Sequence, residues 1–76
     1  MQKLVPVPNH KFRKFLEYVG CEFKRPKGDH VIYTRHDLKR PIVFRATGDV
    51  PIFHIKSNLR TLNISTKEFV ETMNKL

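Results

Sequence analysis

The spacing of apolar residues predicts an amphipathic helix near the N-terminus. Apolar side chains recur there at i, i+3, i+4 and i+7, the period of one helix face, and they are Phe12, Phe15, Leu16 and Val19. Asn9 is the predicted N-cap, and Gly20 is the predicted stop because glycine is favoured just past a helix end. The segment before Asn9 is broken by prolines and is interpreted as an arm.

From residue 21 the apolar period changes to two, which is typical of strands. Three β-type runs follow, at residues 21–25, 30–35 and 41–46. A tight turn at Pro26-Lys27-Gly28 is predicted between the first two runs, and residues 36–40 form a longer polar loop before the third. Short links between successive strands favour an antiparallel meander.

Two more helices are predicted in the last third of the chain. Asp49 is the predicted N-cap of the first, with Pro51 in its first turn and Asn63 at its end. Its apolar positions are Ile52, Ile55, Leu59 and Leu62. The second opens with the capping box Ser65-Thr66-Lys67-Glu68. Its buried stripe is predicted to be Phe69, Val70 and Met73.

The element order is therefore α-β-β-β-α-α, which predicts an α+β fold in one domain, residues 1–76. A three-stranded antiparallel sheet with its helices on one face is the economical way to bury three amphipathic helices. The other face of the sheet would stay open. Because alternate residues of a strand point to opposite faces, we place His30 on the open face, together with Ile32 and Thr34.

The charge balance of the chain indicates the class of its binding partner. Lys and Arg number 15 and Asp and Glu number 7, so the net charge is +8 and the sequence pI is about 10.1. Such a balance favours a polyanion, with nucleic acid as the leading partner and an acidic protein as the second; the alternative is a solvated basic surface. The predicted RNA-binding residues lie between positions 24 and 45: Lys24, Arg25, Lys27, Arg35, Lys39, Arg40 and Arg45.

Length and cysteine usage limit the remaining choices. A chain of 76 residues has room for a shallow surface site but not for a deep cleft. The single cysteine, Cys21, can form no internal disulfide and supplies no thiolate pair for zinc, which fits a reducing cytoplasm. We expect the mature protein to be the whole chain and cytoplasmic, because no apolar run is long enough for a signal peptide or a membrane span.

The residue pattern favours histidine acid–base chemistry over metal chemistry. The four histidines, at positions 10, 30, 36 and 54, fall in different predicted elements, and the acidic residues are scattered. We therefore expect no metal ion and no other cofactor. RNA carries its own nucleophile in the 2′-hydroxyl, so a histidine near basic residues is sufficient for cleavage. His30 follows a tight turn with basic residues before it, but a histidine beside a turn is usually an ordinary surface residue, and spacing alone does not decide between the two readings.

Residues 20–33, GCEFKRPKGDHVIY, carry a resemblance to a known family. The run resembles the signature of the HicA toxins of bacterial toxin-antitoxin systems, in which a basic-rich stretch precedes Gly-Ser-His and a hydrophobic strand. Residues 59–65, LRTLNIS, followed by Glu68-Phe69, are similar to the last helical segment of the same family. The basic charge and the length agree with this resemblance.

The resemblance implies a fold like that of a double-stranded-RNA-binding domain and metal-independent cleavage of messenger RNA. It also implies His30 as the catalytic residue and a cognate HicB-type antitoxin as partner. The alternative is a non-catalytic RNA-binding module of the same fold. Two positions depart from the family pattern: Asp29 stands where the family usually has Ser, and Phe53-His54-Ile55 replaces an expected Gly-Thr-Leu.

Overall fold

The protein combines one three-stranded sheet, one two-stranded ribbon and three helices. The computed structural model describes residues 3–76. In chain order the elements are β1 (Val7–Pro8), α1 (Asn9–Tyr18), β2 (Glu22–Lys27), β3 (His30–Thr34), β4 (Ile42–Arg45), β5 (Asp49–Val50), α2 (Ile52–Leu62) and α3 (Thr66–Met73). The predicted α+β fold, a helix followed by a three-stranded antiparallel sheet and two helices, is confirmed.

The main sheet has the strand order β2-β3-β4, antiparallel throughout. Its first turn differs from the prediction, because β2 continues through Pro26 and Lys27, and Gly28-Asp29 forms the two-residue link. Gly28 has φ +57°, a conformation that glycine adopts without steric cost. Pro26 is tolerated inside β2 because β2 is an edge strand, where a missing N–H removes no ladder bond on the open side.

Both predicted N-caps at Asn9 and Asp49 are wrong. The N-cap of α1 is Pro8, and Asn9 instead uses its amide group for contacts with Arg13 and the carbonyl of Arg45. Asp49 belongs to β5, which pairs with β1 in the N-terminal arm, and Pro51 is the N-cap of α2. Local capping preference is overridden at both places by pairing and contacts between segments distant in sequence.

The helix ends in the last third follow the prediction. Asn63 ends α2 in the left-handed conformation, with φ 58°. Ser65 and Glu68 form the predicted capping box at the start of α3, since each side chain bonds the other residue's backbone N–H. Phe69 is buried, whereas Val70 and Met73 are half-buried.

The core lies between the helices and one face of the main sheet. Val31 and Tyr33 of β3 join it, together with Ile42 and Phe44 of β4. Four phenylalanines form its centre, with ring centroids 4.7 to 6.1 Å apart, and they are Phe12, Phe15, Phe44 and Phe69. His30 alternates with Val31 and is exposed, as the prediction of an open sheet face requires.

Helix α2 is attached to β4, an edge strand of the main sheet. Asn58, only 5% exposed, donates a hydrogen bond of 3.0 Å from Nδ2 to the Val43 carbonyl. This bond supplies a hydrogen-bond donor to a backbone carbonyl of the edge strand, which in a wider sheet would bond to a further strand. The attachment fixes the first turn of α2 near the end of β4, where Arg45 lies.

Candidate nucleic-acid interface and active site

The register of the sheet brings three of the predicted site residues into one row. Lys27 of β2 and Arg45 of β4 both pair with His30 of β3, which stands between them. Paired residues of antiparallel strands point to the same face, with Cβ atoms about 4.5–5.5 Å apart. His30 is therefore flanked by a cation on each side, and all three side chains are exposed.

A second row on the same face adds one more cation. Arg25 pairs with Ile32, which in turn pairs with Val43. Ile32 is 6% exposed but lies outside the main core cluster, so neighbouring side chains on the open face cover it. Lys24 is the extra residue of a β-bulge between Phe23 and Arg25. The bulge sets the register that places Arg25 and Lys27 beside the middle strand.

His30 borders an open cleft of about 630 Å³ at this end of the sheet. The lining residues are Gly28, Asp29, His30, Arg45, Ala46, Thr47, Pro51 and His54. Side chains of α1 hold the back of this cleft, because Asn9 donates to the Arg45 carbonyl at 2.7 Å and Arg13 donates to the Ala46 carbonyl at 3.0 Å. The backbone that carries Arg45 is therefore fixed from behind.

A second histidine, His54, faces His30 in the cleft. The two ring centroids are 5.9 Å apart and the ring planes differ by 37°. His54 lies in the first turn of α2 and is half-buried, and its Nδ1 atom is buried without a hydrogen-bond partner among the described residues. Burial lowers the pKa of His54 below the ordinary value, and the charges of His30 and Arg45 lower it further.

Each departure from the family pattern places one residue in the lining of this cleft, Asp29 from the first and His54 from the second. Asp29 is exposed in the turn before His30. Phe53 precedes His54 in α2 and is 78% exposed, with its ring 6.0 Å from the His54 ring. An aromatic ring left in solvent beside a basic cleft offers a surface on which a nucleobase can stack.

Arg35, one of the predicted RNA-binding residues, has a structural role. Its guanidinium bonds Asp37 from Nε at 2.6 Å and from Nη2 at 3.1 Å, and Nη1 donates to the Val19 carbonyl at 2.7 Å. The hydrogen bond from Arg35 holds the pKa of Asp37 below its usual value. The donors of Arg35 thus join the end of α1 to the loop after β3.

Lys39 and Arg40 lie away from His30. The loop that connects β3 to β4 is at the opposite end of the sheet, because His30 begins β3 and its partner Arg45 ends β4. There the two residues line a different cleft, together with Ser57 and Arg60 of α2. The structure therefore groups Arg25, Lys27 and Arg45 with His30, and leaves Lys39 and Arg40 apart.

Residues 3–76 include neither a metal-binding cluster nor a membrane-spanning helix. No three His, Cys, Asp or Glu side chains of this part of the chain are grouped so that they could hold a metal ion. No helix in the same range is long and apolar enough to cross a membrane.

Comparison with known families supplies the identity. The family model described as "HicA toxin of bacterial toxin-antitoxin" matches residues 10–64. The chain belongs to the HicA toxin family. No curated protein and no solved structure matches it. HicA toxins are ribonucleases, and the α+β architecture described above agrees with the double-stranded-RNA-binding-domain-like fold of HicA proteins.

The family match covers both histidines of the cleft, but the sequence indicated only one of them. His30 was identified by the Gly-Asp-His run and by the tight turn before it. His54 is 24 residues away in another element, and no local spacing links the two. The one available signal was the departure from the family pattern at Phe53-His54-Ile55, which places a titratable ring where the family pattern has Thr.

Proposed function

We propose that this HicA toxin is an endoribonuclease that cleaves messenger RNA without a metal ion, with His30 as its acid–base catalyst. The observation that carries the proposal is the row formed by Lys27, His30 and Arg45 at the edge of an open cleft. An imidazole is the side chain whose ordinary pKa lies closest to neutrality. A flanking cation on each side stabilises the negative charge that develops on the non-bridging phosphate oxygens during transfer.

The shape of the site suits a polymer rather than a small metabolite. The cleft is open and lies at one end of an exposed sheet face. Arg25, Lys27 and Arg45 can contact phosphates on either side of the scissile linkage, and such backbone contacts position a strand without reading its sequence. Phe53 adds a surface for base stacking next to the cleft. Binding energy would thus come from several neighbouring nucleotides.

The chemistry uses the nucleophile that RNA carries. The 2′-oxygen attacks the adjacent phosphorus and loses its proton to a base, the bond from phosphorus to the 5′-oxygen breaks, and that oxygen takes up a proton. The products are a 2′,3′-cyclic phosphate and a free 5′-hydroxyl. His30 supplies one or both of these proton transfers.

The proposal is tested by incubating the purified protein with RNA in EDTA and analysing the ends of the products. We expect cleavage with 2′,3′-cyclic phosphate ends, and no cleavage at a position where the nucleotide is 2′-deoxy. His30→Ala should lower the rate about 10²- to 10⁴-fold. RNA that is bound but stays intact would instead support the non-catalytic RNA-binding module, and no RNA affinity at all would point to a protein-interaction domain.

A further inference from the structure

We propose that His54 is a second catalytic residue, the general base that takes the proton of the 2′-hydroxyl while His30 protonates the leaving 5′-oxygen. This inference rests on the proposed RNA cleavage at the His30 cleft. The reaction needs two proton transfers, and this proposal assigns one of them to each histidine of the cleft.

The distance between the two rings fits this division. Centroids 5.9 Å apart are too far for the imidazoles to bond each other directly. The same spacing allows a single phosphate between them, because each proton transfer needs only about 2.6–3.2 Å between donor and acceptor atoms. Both rings line the same cleft, so one scissile linkage can contact both.

The surroundings of His54 are not those of a histidine that serves the fold. Buried polar atoms in proteins nearly always have a hydrogen-bond partner, and each exception calls for an explanation. Nδ1 of His54 has no such partner within residues 3–76. The core-forming residues of α2 are others on the same helix, Ile55, Leu59 and Leu62. The His54 ring is therefore held in a partly dry position without contributing a structural bond.

The charges around His54 favour its neutral form, which is the form able to accept a proton. The titratable or charged side chains that line the cleft with it are Asp29 in the β2–β3 turn, His30 on β3 and Arg45 on β4. Burial, followed by the charges of His30 and Arg45, lowers the pKa of His54. A neutral imidazole can act as the general base, and the reaction needs a second group in the same cleft to act as the general acid.

In the proposed step every atom and charge is accounted for. His54 removes the 2′-hydroxyl proton as the 2′-oxygen forms its bond to phosphorus. Protonated His30 delivers a proton to the 5′-oxygen as the bond from phosphorus to that oxygen breaks. Arg45, paired with His30 across the strands, offsets charge on the non-bridging oxygens. The pair ends with His54 protonated and His30 neutral, and exchange with solvent restores the starting state.

The test uses an RNA with one mapped cleavage site, prepared with either oxygen or sulfur as the 5′ leaving atom. A thiolate leaves without protonation, so the sulfur substrate needs no general acid. We expect His54→Gln and His54→Asn to cleave both substrates about 10²- to 10⁴-fold more slowly than the wild type. His30→Gln should be slow on the oxygen substrate and close to wild type on the sulfur substrate. His10→Gln, an exposed position on α1, is the matched control and should keep the wild-type rate.

The pH dependence of the cleavage rate distinguishes a catalytic role of His54 from a structural one. The rate of the wild type should fall on the acid side as His54 becomes protonated, and this acid limb should disappear in His54→Gln. Wild-type rates with an unchanged profile in both His54 variants would overturn the role of His54 while leaving cleavage by His30 intact. If the sulfur substrate restored the rate of the His54 variants but not that of His30→Gln, the assignment of His54 as base and His30 as acid would be wrong. A wild-type protein that leaves RNA intact would remove the proposed function itself.

Discussion

At the scale of single residues, the two histidines of the cleft differ in environment. His30 is exposed at the start of β3, whereas His54 is half-buried at the start of α2. Replacement of an exposed side chain affects little besides its chemistry, whereas replacement of a half-buried one also changes hydration and packing. This difference gives each residue its own prediction.

His30→Ala should leave folding and RNA affinity nearly unchanged. The side chain is exposed, so the free energy of unfolding should change by no more than about 0.5 kcal/mol. The cations around it, rather than the imidazole, would provide the binding. Denaturant unfolding and RNA titration of the variant check this, and a loss of affinity as large as the loss of cleavage would contradict the separation of binding from catalysis.

His54 should make the protein less stable in acid. Because the pKa of His54 is lowered in the folded state, the unfolded chain binds this proton more tightly than the folded chain. Above the pKa of an unfolded histidine, about 6.5, His54 is neutral in both states and does not change the free energy of unfolding. Below that pH, protonation of His54 favours the unfolded chain. The free energy of unfolding should therefore fall as the pH drops below about 6.5, and fall less in His54→Gln. Equal slopes in the two proteins, measured by urea unfolding at each pH, would contradict this.

At the scale of elements, the position of α2 depends on its attachment to the edge of β4. The bond from the buried Asn58 side chain to the Val43 carbonyl is partly buried, and the same helix carries His54 into the cleft four residues earlier. Loss of this bond should thus lower the stability of the protein, and it should affect the cleft only indirectly, by loosening the attachment of α2.

Asn58→Ala should destabilise the protein, because it leaves the Val43 carbonyl without its donor. A buried polar group deprived of its partner costs about 1–3 kcal/mol. Ser57→Ala, an exposed neighbour on the same helix, is the control and should change stability by less than about 0.5 kcal/mol. Thermal or urea unfolding of both variants checks the prediction. Equal stability of the two would show that the bond contributes nothing net.

At the scale of the whole molecule, charge is unevenly placed. The net charge is +8, and the open sheet face carries Arg25, Lys27 and Arg45 in two adjacent rows around His30. Arg35, in contrast, is neutralised by Asp37 at 2.6 Å. Position on the sheet, rather than total charge, therefore decides which cations can meet RNA.

RNA affinity should fall steeply with salt, because neutralised phosphates release counterions when the protein binds. Arg25→Ala and Lys27→Ala should each reduce the slope of log affinity against log salt by about one. Lys67→Ala removes the same charge from an exposed position on α3, outside the strands that carry the His30 row, and should leave the slope unchanged. A slope near zero in the wild type, or equal effects of all three variants, would contradict the proposed RNA surface.

Family membership makes a HicB-type antitoxin the expected partner, and we predict that it covers the His30 cleft. An open site on a small domain is most simply silenced by occlusion, and an acidic partner complements the cations around it. The purified stoichiometric complex should not cleave RNA, and hydrogen exchange should be slowed in β3 and at the start of α2. Full cleavage by the complex would contradict occlusion.

The sequence determined the features that depend on near neighbours in the chain. The helix faces, the three-stranded meander, the end of α2 at Asn63 and the capping box at Ser65 follow from residues within a few positions of one another. The Gly-Asp-His run indicated His30 because a turn and a strand start are local as well. The family resemblance was carried by the same short runs.

The tertiary structure alone decided what depends on distant pairs. The ribbon of β1 and β5 changed the start of two helices, because pairing between positions 7–8 and 49–50 outweighs a local cap. The salt bridge to Asp37 gives Arg35, a predicted RNA-binding residue, a role in the fold, and the strand register selected Lys27 and Arg45 as the neighbours of His30. The meeting of His30 and His54 arises from the packing of α2 along β4. Positions 24 residues apart have no fixed distance in a chain until packing brings them together.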